Sequence, residues 1–269
     1  MNQYIDSLKA QGKLNISIDK NKNFDWKFTR IAGPCSVEGP EIVEIAKKIK
    51  SLGATAFRAG AYKPCTFPIL KETNGWKEGL KKEGLLLLKK VKEETGLPIV
   101  TEVMDINMID EVSEVADVLQ VGTRNFQNYS LLDALGKINK PILLKRGTWG
   151  TIDEILGSCE RILVGGNDKL AICLRGVVGM PSYRHVFPTI RWAPDLMMIP
   201  ALKELTNIPI IYDPSHSTGY RSFVKPISKA ALAAGADGLI IECHPDPDRS
   251  ISDSAQAINY DMLNEIFNG

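Results

Sequence analysis

Residues 57–68 read FRAGAYKPCTFP, and the apolar run Ala54–Phe57 leads into them. A short run that is apolar at consecutive positions is the pattern of a strand buried on both faces of a parallel sheet. This strand delivers Arg58 and Lys63 into a loop that Gly60 allows to turn and that Pro64 and Pro68 stiffen. A helical pattern then falls within Glu78–Thr95, and another apolar strand pattern follows at Pro98–Val103. Strand, loop, helix and strand in this order make one βα unit. Fixed cations on a stiff loop after a strand suit a phosphate or a carboxylate. A solvated basic loop has the same composition, so the choice between the two rests on the other loops.

Outward from this unit the same alternation repeats. Strand patterns lie at Lys27–Ala32, Ala54–Phe57, Pro98–Val103, Val118–Val121, Pro141–Leu144, Leu170–Leu174, Ile208–Tyr212 and Gly238–Ile241. Helical patterns lie at Pro40–Leu52, within Glu78–Thr95, and at Ile106–Ala116, Asn128–Gly136, Ile152–Leu163, Leu196–Thr206, Val224–Ala234 and Ala255–Phe267. Thr151 and Ser254 suit helix N-caps, and Gly53, Gly96, Gly136 and Gly235 suit helix ends. Eight such units in about 240 residues predict an α/β fold, a (β/α)8 TIM barrel over residues 27–269, with residues 1–26 as a short N-terminal extension. A doubly wound open sheet is the alternative, but no G-x-G-x-x-G follows the first strand pattern.

Composition narrows the function classes. With 269 residues, 44% hydrophobic and 24% charged, the chain is ordinary globular material. A formal net charge of +1 supplies no field for nucleic acid or membrane. No apolar run approaches the roughly 18 residues of a membrane span, and the first residues lack the apolar core of a signal peptide. A cytoplasmic location is expected. The five cysteines, Cys35, Cys65, Cys159, Cys173 and Cys243, are irregularly spaced and should be thiols there. Cys159 and Cys173 fall within a helix and a strand, where core packing is the simplest role.

In a barrel of this kind, chemistry collects where strands end. Those ends read Gly33-Pro34-Cys35-Ser36, Arg58 to Lys63, Thr101-Glu102-Val103-Met104-Asp105, Gly122-Thr123-Arg124-Asn125, Lys145-Arg146-Gly147, Leu174-Arg175-Gly176, Asp213-Pro214-Ser215-His216 and Glu242-Cys243-His244-Pro245-Asp246. Every strand sends polar or charged groups to one rim. Arg58, Lys63, Arg124, Lys145, Arg146 and Arg175 would form a cationic floor for a small, densely anionic ligand such as a phosphorylated carboxylate. Some of them could instead pair with Glu102 or Asp105. Cys35, His216, Glu242 and Asp253 offer a thiolate, an imidazole and two carboxylates, a donor set for manganese, iron or zinc. A buried thiol beside a capping histidine would need the same residues without any metal. His244 belongs to the same loop as Glu242 and could support the ligands from behind.

The order of these motifs resembles the metal-dependent 3-deoxy-7-phosphoheptulonate (DAHP) synthases, in the short microbial subgroup related to 3-deoxy-octulosonate 8-phosphate synthases. The matching stretches are IAGPCSVEG (31–39), FRAGAYKP (57–64), TEVMD (101–105), VGTRNFQN (121–128), LLKRG (143–147), DPSHSTG (213–219), AALAAGADGLIIECHPDP (230–247) and Ser252-Asp253. The resemblance implies condensation of phosphoenolpyruvate with the aldehyde of a phosphorylated sugar, by default erythrose 4-phosphate, at the entry to the shikimate route. It implies that Cys35, His216, Glu242 and Asp253 hold a divalent metal. It further implies that Arg124, Arg175 and Lys145 hold phosphoenolpyruvate, with Arg58 and Lys63 bordering the site. Lys63 is placed to move a proton, and Thr66, Arg191 and Asp195 fall with the substrate-binding residues. The expected assembly is a homodimer or homotetramer. Without a recognisable regulatory domain, no inhibition by aromatic amino acids is expected.

Three departures concern the second substrate. The family's Lys-Pro-Arg-Thr-Ser is here Lys63-Pro64-Cys65-Thr66-Phe67, so a guanidinium that contacts the acceptor phosphate becomes a thiol. The family's Cys-Glu-Arg-Gly is Cys173-Leu174-Arg175-Gly176. The stretch VVGMPSYRHVFPTIRWAPD (177–195) is longer than its counterpart and adds Tyr183, Arg184, His185, Phe187 and Trp192. These changes leave open the same chemistry on a different aldehyde. A non-catalytic, effector-binding barrel is the reading from another class, against which the intact Cys35, His216, Glu242 and Asp253 set argues.

Overall fold

Eight parallel strands close on one another in sequence order in the computed structural model, which describes residues 26–27, 29–66, 68–69, 78–179 and 189–269. The strands are β1 (Arg30–Gly33), β2 (Ala56–Arg58), β3 (Ile99–Val103), β4 (Val118–Val121), β5 (Ile142–Lys145), β6 (Leu170–Leu174), β7 (Ile210–Tyr212) and β8 (Gly238–Glu242). Closure is made by β1 and β8, where Ile31 is in register with Ile240 and Gly33 with Glu242. Between strands run the helices α1 (Ile42–Ser51), α2 (Lys81–Thr95), α3 (Ile109–Val115), α4 (Tyr129–Leu135), α5 (Ile152–Val164), α6 (Met198–Leu205), α7 (Pro214–Thr218) and α8 (Arg221–Ala233), and α9 (Tyr260–Phe267) follows β8. The predicted TIM barrel is therefore the observed one. Among the described residues no helix is long and apolar enough to cross a membrane. The expected extension over residues 1–26 and the additions Tyr183, Arg184, His185 and Phe187 lie outside the described residues, except for Trp26.

Two cores follow from the period-two alternation of strand side chains. Ile31, Val100, Leu143 and Ile211 from the odd strands, and Ala56, Val118, Ala171 and Ile240 from the even ones, fill the barrel interior together with Cys173 and Trp26. The intervening residues, such as Ala32, Phe57, Leu119, Leu144 and Ile172, pack outward with the apolar faces of the helices. Cys159 and Cys173 are fully buried in these cores, as the sequence suggests.

Boundaries differ in places for local reasons. The helix at α9 starts at Tyr260 and is capped by Asn259, whose side chain accepts from Met262 N, so Ser254 is not its cap. Thr151 does cap α5, in a reciprocal capping box with Glu154. Gly96 ends α2 in the left-handed conformation, whereas Gly136 ends α4 in the right-handed one. Gly136 is required by packing instead, since a Cβ there would lie 2.7 Å from Ile162 O.

Candidate active site

Two positions beyond each interior apolar residue, at the C-terminal ends of the strands, the alternation brings a different kind of side chain inward. After Ala56, Val118, Ala171 and Ile240 come Arg58, Gln120, Cys173 and Glu242; after Val100, Leu143 and Ile211 come Glu102, Lys145 and Asp213. The register confirms the shared orientation, with Glu102 beside Gln120 and Lys145 beside Cys173. Above this polar floor opens a cavity of about 920 Å³, lined by Cys35, Arg58, Lys63, Thr66, Glu102, Arg124, Lys145, Arg175, Arg191, His216 and Asp253 among others.

The four candidate metal ligands meet. Cys35, His216, Glu242 and Asp253 each offer an atom, and these atoms lie within 4.8 Å of one another. Cys35 is on the loop after β1, His216 is in α7 immediately after β7, Glu242 ends β8, and Asp253 lies on the loop beyond. Asp213 orients the imidazole by accepting from His216 Nδ1 at 2.7 Å, which leaves Nε2 facing Glu242 at 3.3 Å and Asp253 at 3.9 Å. Burial lowers the His216 pKa despite Asp213 and Glu242, so the ring is held neutral with a free lone pair. Burial opposes ionisation of Glu242 and Asp253, but the permanent cations Arg58 and Lys63 near the first, and Lys63 and Arg191 near the second, hold both carboxyls below their ordinary pKa. Burial pushes the Cys35 thiol up, and Glu242 and Asp253 push it the same way. A thiol, a neutral imidazole and two ionised carboxylates converging in a buried pocket fit a divalent transition metal, whose charge would favour the thiolate.

The cations divide into two groups. Arg58 pairs with Glu242 at 2.9 Å, Lys63 with Asp253 at 2.6 Å and Lys145 with Asp213 at 2.7 Å, and Arg191 also reaches Asp253. Lys63 additionally contacts Cys35 Sγ. Arg124 and Arg175 have no carboxylate within ion-pair distance among the described residues. Arg124 donates to Pro64 O at 3.2 Å and Thr66 Oγ1 at 3.3 Å, and Arg175 to Thr123 Oγ1 at 3.2 Å. The Arg175 Nε is buried without a partner among the described residues, and burial lowers that guanidinium's pKa. Two cavity-lining guanidiniums that no carboxylate among the described residues pairs with have the chemistry to hold an anion bearing more than one acceptor group.

Several sequence expectations change. Arg146 is not part of the floor: it follows inward-facing Lys145, so the alternation turns it outward. There it is fully buried against Asp195, and it donates to Gly150 O and Gly176 O. Asp195 does not line the cavity; its other oxygen accepts from Gly176 N at 2.9 Å, tying the loops after β5 and β6 together. The carboxylates that pair with the cations are Glu242, Asp253, Asp213 and Asp195, not Glu102 or Asp105. Asp105 caps a turn by accepting from Asn107 N at 2.9 Å. Leu174, where the family has glutamate, faces the outer core, away from the cavity. Cys65, by contrast, lines the cavity, as do Trp149, Val178, Ile190 and Trp192.

Glu102 and Asp213 were legible as strand-end residues but not as members of the site. The signal was the alternation, which places Glu102 two residues after interior Val100. Burial raises the Glu102 pKa, Oε2 accepts from Gln120 at 3.3 Å, and Oε1 has no partner among the described residues. Gly122 makes room for that oxygen, since a Cβ there would stand 2.0 Å from it.

Comparison with known proteins shows the family. The DAHP synthetase I family matches residues 13–268. The chain is 41% identical to a phospho-2-dehydro-3-deoxyheptonate aldolase of Thermotoga maritima over 89% of this chain and 68% of that protein. It is 31% identical to a 2-dehydro-3-deoxyphosphooctonate aldolase of Desulfotalea psychrophila, over 88% of this chain and 86% of that one. The crystal structure of the Thermotoga maritima DAHP synthase superposes with a TM-score of 0.81 at 40% identity, covering 89% of this chain and 67% of that one. The chain belongs to the DAHP synthetase I family, and with it to the phosphoenolpyruvate-dependent transferases that form a carbon–carbon bond.

Proposed function

We propose that this protein condenses phosphoenolpyruvate with an aldose phosphate in a reaction that requires a divalent metal, with erythrose 4-phosphate as the acceptor and 3-deoxy-arabino-heptulosonate 7-phosphate and phosphate as products. The observation that carries this reading is the meeting, at one cavity, of a four-donor cluster with Arg124 and Arg175, two guanidiniums that no carboxylate among the described residues pairs with. Phosphoenolpyruvate brings the phosphate and carboxylate that such a pair accepts. Its methylene carbon bonds to the aldehyde carbon, whose oxygen takes up a proton. Water adds to the former enol carbon, and phosphate departs with its carbon–oxygen bond broken. A divalent cation bound by Cys35, His216, Glu242 and Asp253 would supply Lewis-acid polarisation of the aldehyde. Lys63 lies against Cys35 and Asp253 and is the proton donor at the new hydroxyl. The free Glu102 oxygen is the acceptor for the added water. Association as a homodimer or homotetramer and a cytoplasmic site of action belong to the same proposal.

Cys65 supports a second reading, the same chemistry on another aldehyde. It lines the cavity beside Arg124 and Thr66, and the apolar Trp149, Val178 and Trp192 line the same cavity. The test is to incubate the metal-loaded protein with phosphoenolpyruvate and erythrose 4-phosphate, arabinose 5-phosphate, ribose 5-phosphate or unphosphorylated aldoses, reading phosphate release and product mass together. Rapid turnover with erythrose 4-phosphate is expected. Turnover only with another aldehyde would move the conclusion to the second reading, and none at all, with metal bound, would defeat both.

A further inference from the structure

Three of the four cluster ligands are held close to a strand end. Glu242 is the last residue of β8, His216 lies in the short α7 directly after β7, and Cys35 follows β1 by two residues. Asp253 is different. It sits in a loop, eleven residues beyond Glu242 in the sequence, with its backbone in the left-handed region at φ 56. Among non-glycine residues that conformation is uncommon, and Asp is one of the few types that take it with some frequency.

The surroundings of Asp253 are supplied by the β1 loop. Glu38 Oε1 accepts from Ser250 Oγ at 3.1 Å and from the Ile251 backbone N–H at 3.2 Å. Ser36 Oγ and Ser252 Oγ share a buried hydrogen bond of 2.9 Å. Glu38 Oε2 in turn stands 3.7 Å from His244 Nε2, and His244 lies on the loop that leaves β8. These contacts lie directly after Cys35 on one segment and directly before Asp253 on the other.

We propose that Glu38 is a positioning residue for the metal cluster: by tying residues 250–251 to the β1 loop, with Ser36 holding Ser252, it sets the separation of Cys35 from Asp253. The proposal rests on the metal reading of the cluster. Glu38 itself offers no atom to the cluster, and its effect passes through the backbone that carries Asp253. The amide of a glutamine at this position keeps an oxygen that can accept both bonds, whereas alanine keeps neither.

The test titrates the wild-type protein first with Mn²⁺ and Zn²⁺ against a chromogenic chelator, then Glu38→Ala and Glu38→Gln, and follows hydrogen–deuterium exchange of residues 249–256 in the metal-free proteins. Glu38→Ala is expected to bind metal roughly tenfold to a hundredfold more weakly, the range found for groups that orient ligands from behind. It should also exchange faster across 250–253, and Glu38→Gln should restore both. Unchanged metal affinity in a folded Glu38→Ala protein would overturn the proposal. If that variant does not fold, Ser36→Ala, which removes one hydroxyl from the same tie, must weaken metal binding without lowering the metal-free Tm comparably; unchanged affinity there is equally fatal. A wild-type protein that takes up neither cation would defeat the metal reading itself, a failure distinguished by appearing before any substitution is made.

Discussion

Cys35 and Asp253 stand 218 positions apart in the chain and 3.1 Å apart from Sγ to Oδ2. Each approaches the other from a loop rather than from a strand, and His216 and Glu242 close the group from the barrel side. Lys63 lies on both Cys35 and Asp253, its ammonium beside the thiol and the carboxylate.

On the proposed metal reading, Cys35 is the ligand whose replacement tests the cluster most directly. Cys35→Ser keeps the size of the side chain but replaces a soft donor by a hydroxyl that ionises far less readily. Metal affinity is expected to fall by more than the roughly 10–100-fold typical of an outer partner. Turnover should fall with it, while the far-UV circular dichroism stays that of the native barrel. Chelation of the wild type should abolish turnover, and re-addition of the cation should restore it. Full activity of the dialysed, metal-free protein would remove the metal from the reaction.

Arg124 and Arg175 lack carboxylate partners among the described residues, so truncating either strips the substrate without stranding a buried counter-ion. A charged hydrogen bond contributes about 1.5–3 kcal/mol. Arg175→Ala and Arg124→Ala should therefore each raise the KM for phosphoenolpyruvate by about tenfold to a hundredfold. Tm should hold or rise slightly. An unchanged KM in either variant would show that the substrate anion lies elsewhere.

Burial holds the Glu102 pKa above its ordinary 4.5. Between these two values the unfolded chain has lost its proton while the folded chain retains it, so the Glu102 contribution is fully present below pH 4.5 and declines as pH rises through the folded-state value. Glu102→Gln should thus have a higher Tm than the wild type at pH 7, with the difference vanishing below about pH 4.5. Catalysis should move the other way, with kcat reduced. Gly122→Ala, which drives a methyl group into the same oxygen, should also lower kcat, and at a stability cost of about 1–3 kcal/mol from overpacking. Thermal melts across pH, paired with initial rates, decide both points.

Cys65 lines the cavity at the position where the family resemblance leads one to expect an arginine. If erythrose 4-phosphate is the acceptor, Cys65→Arg adds a charged contact to its phosphate and should lower the KM for it by about tenfold or more. The KM for phosphoenolpyruvate should not follow. A rise in the acceptor KM would indicate instead that the thiol leaves room for a different aldehyde.

Much of the fold was legible because a parallel barrel repeats one pattern. Short apolar runs alternating with amphipathic stretches are imposed by burial on both faces, and they survive uncertainty of a few residues at each boundary. Of the four ligand candidates, Cys35, His216 and Glu242 were legible as strand-end residues, whereas Asp253 lies well beyond its strand and spacing alone does not select the set. Residue type at a strand end does not say which way each side chain faces. Lys145 and Arg146 are neighbours in sequence, yet one enters the cavity and the other enters a buried pair with Asp195. Leu174 resembled a change in the active site and is a change in the outer core.

The sequence by itself determined the barrel, its strand order and the chemical inventory at its rim, because these depend on periodicity and residue type. Only the tertiary structure decided which cations pair with carboxylates and which, among the described residues, do not. That division depends on distances between residues as remote as Arg58 and Glu242, which are set by the closure of β8 on β1 and by the inward or outward turn of each side chain.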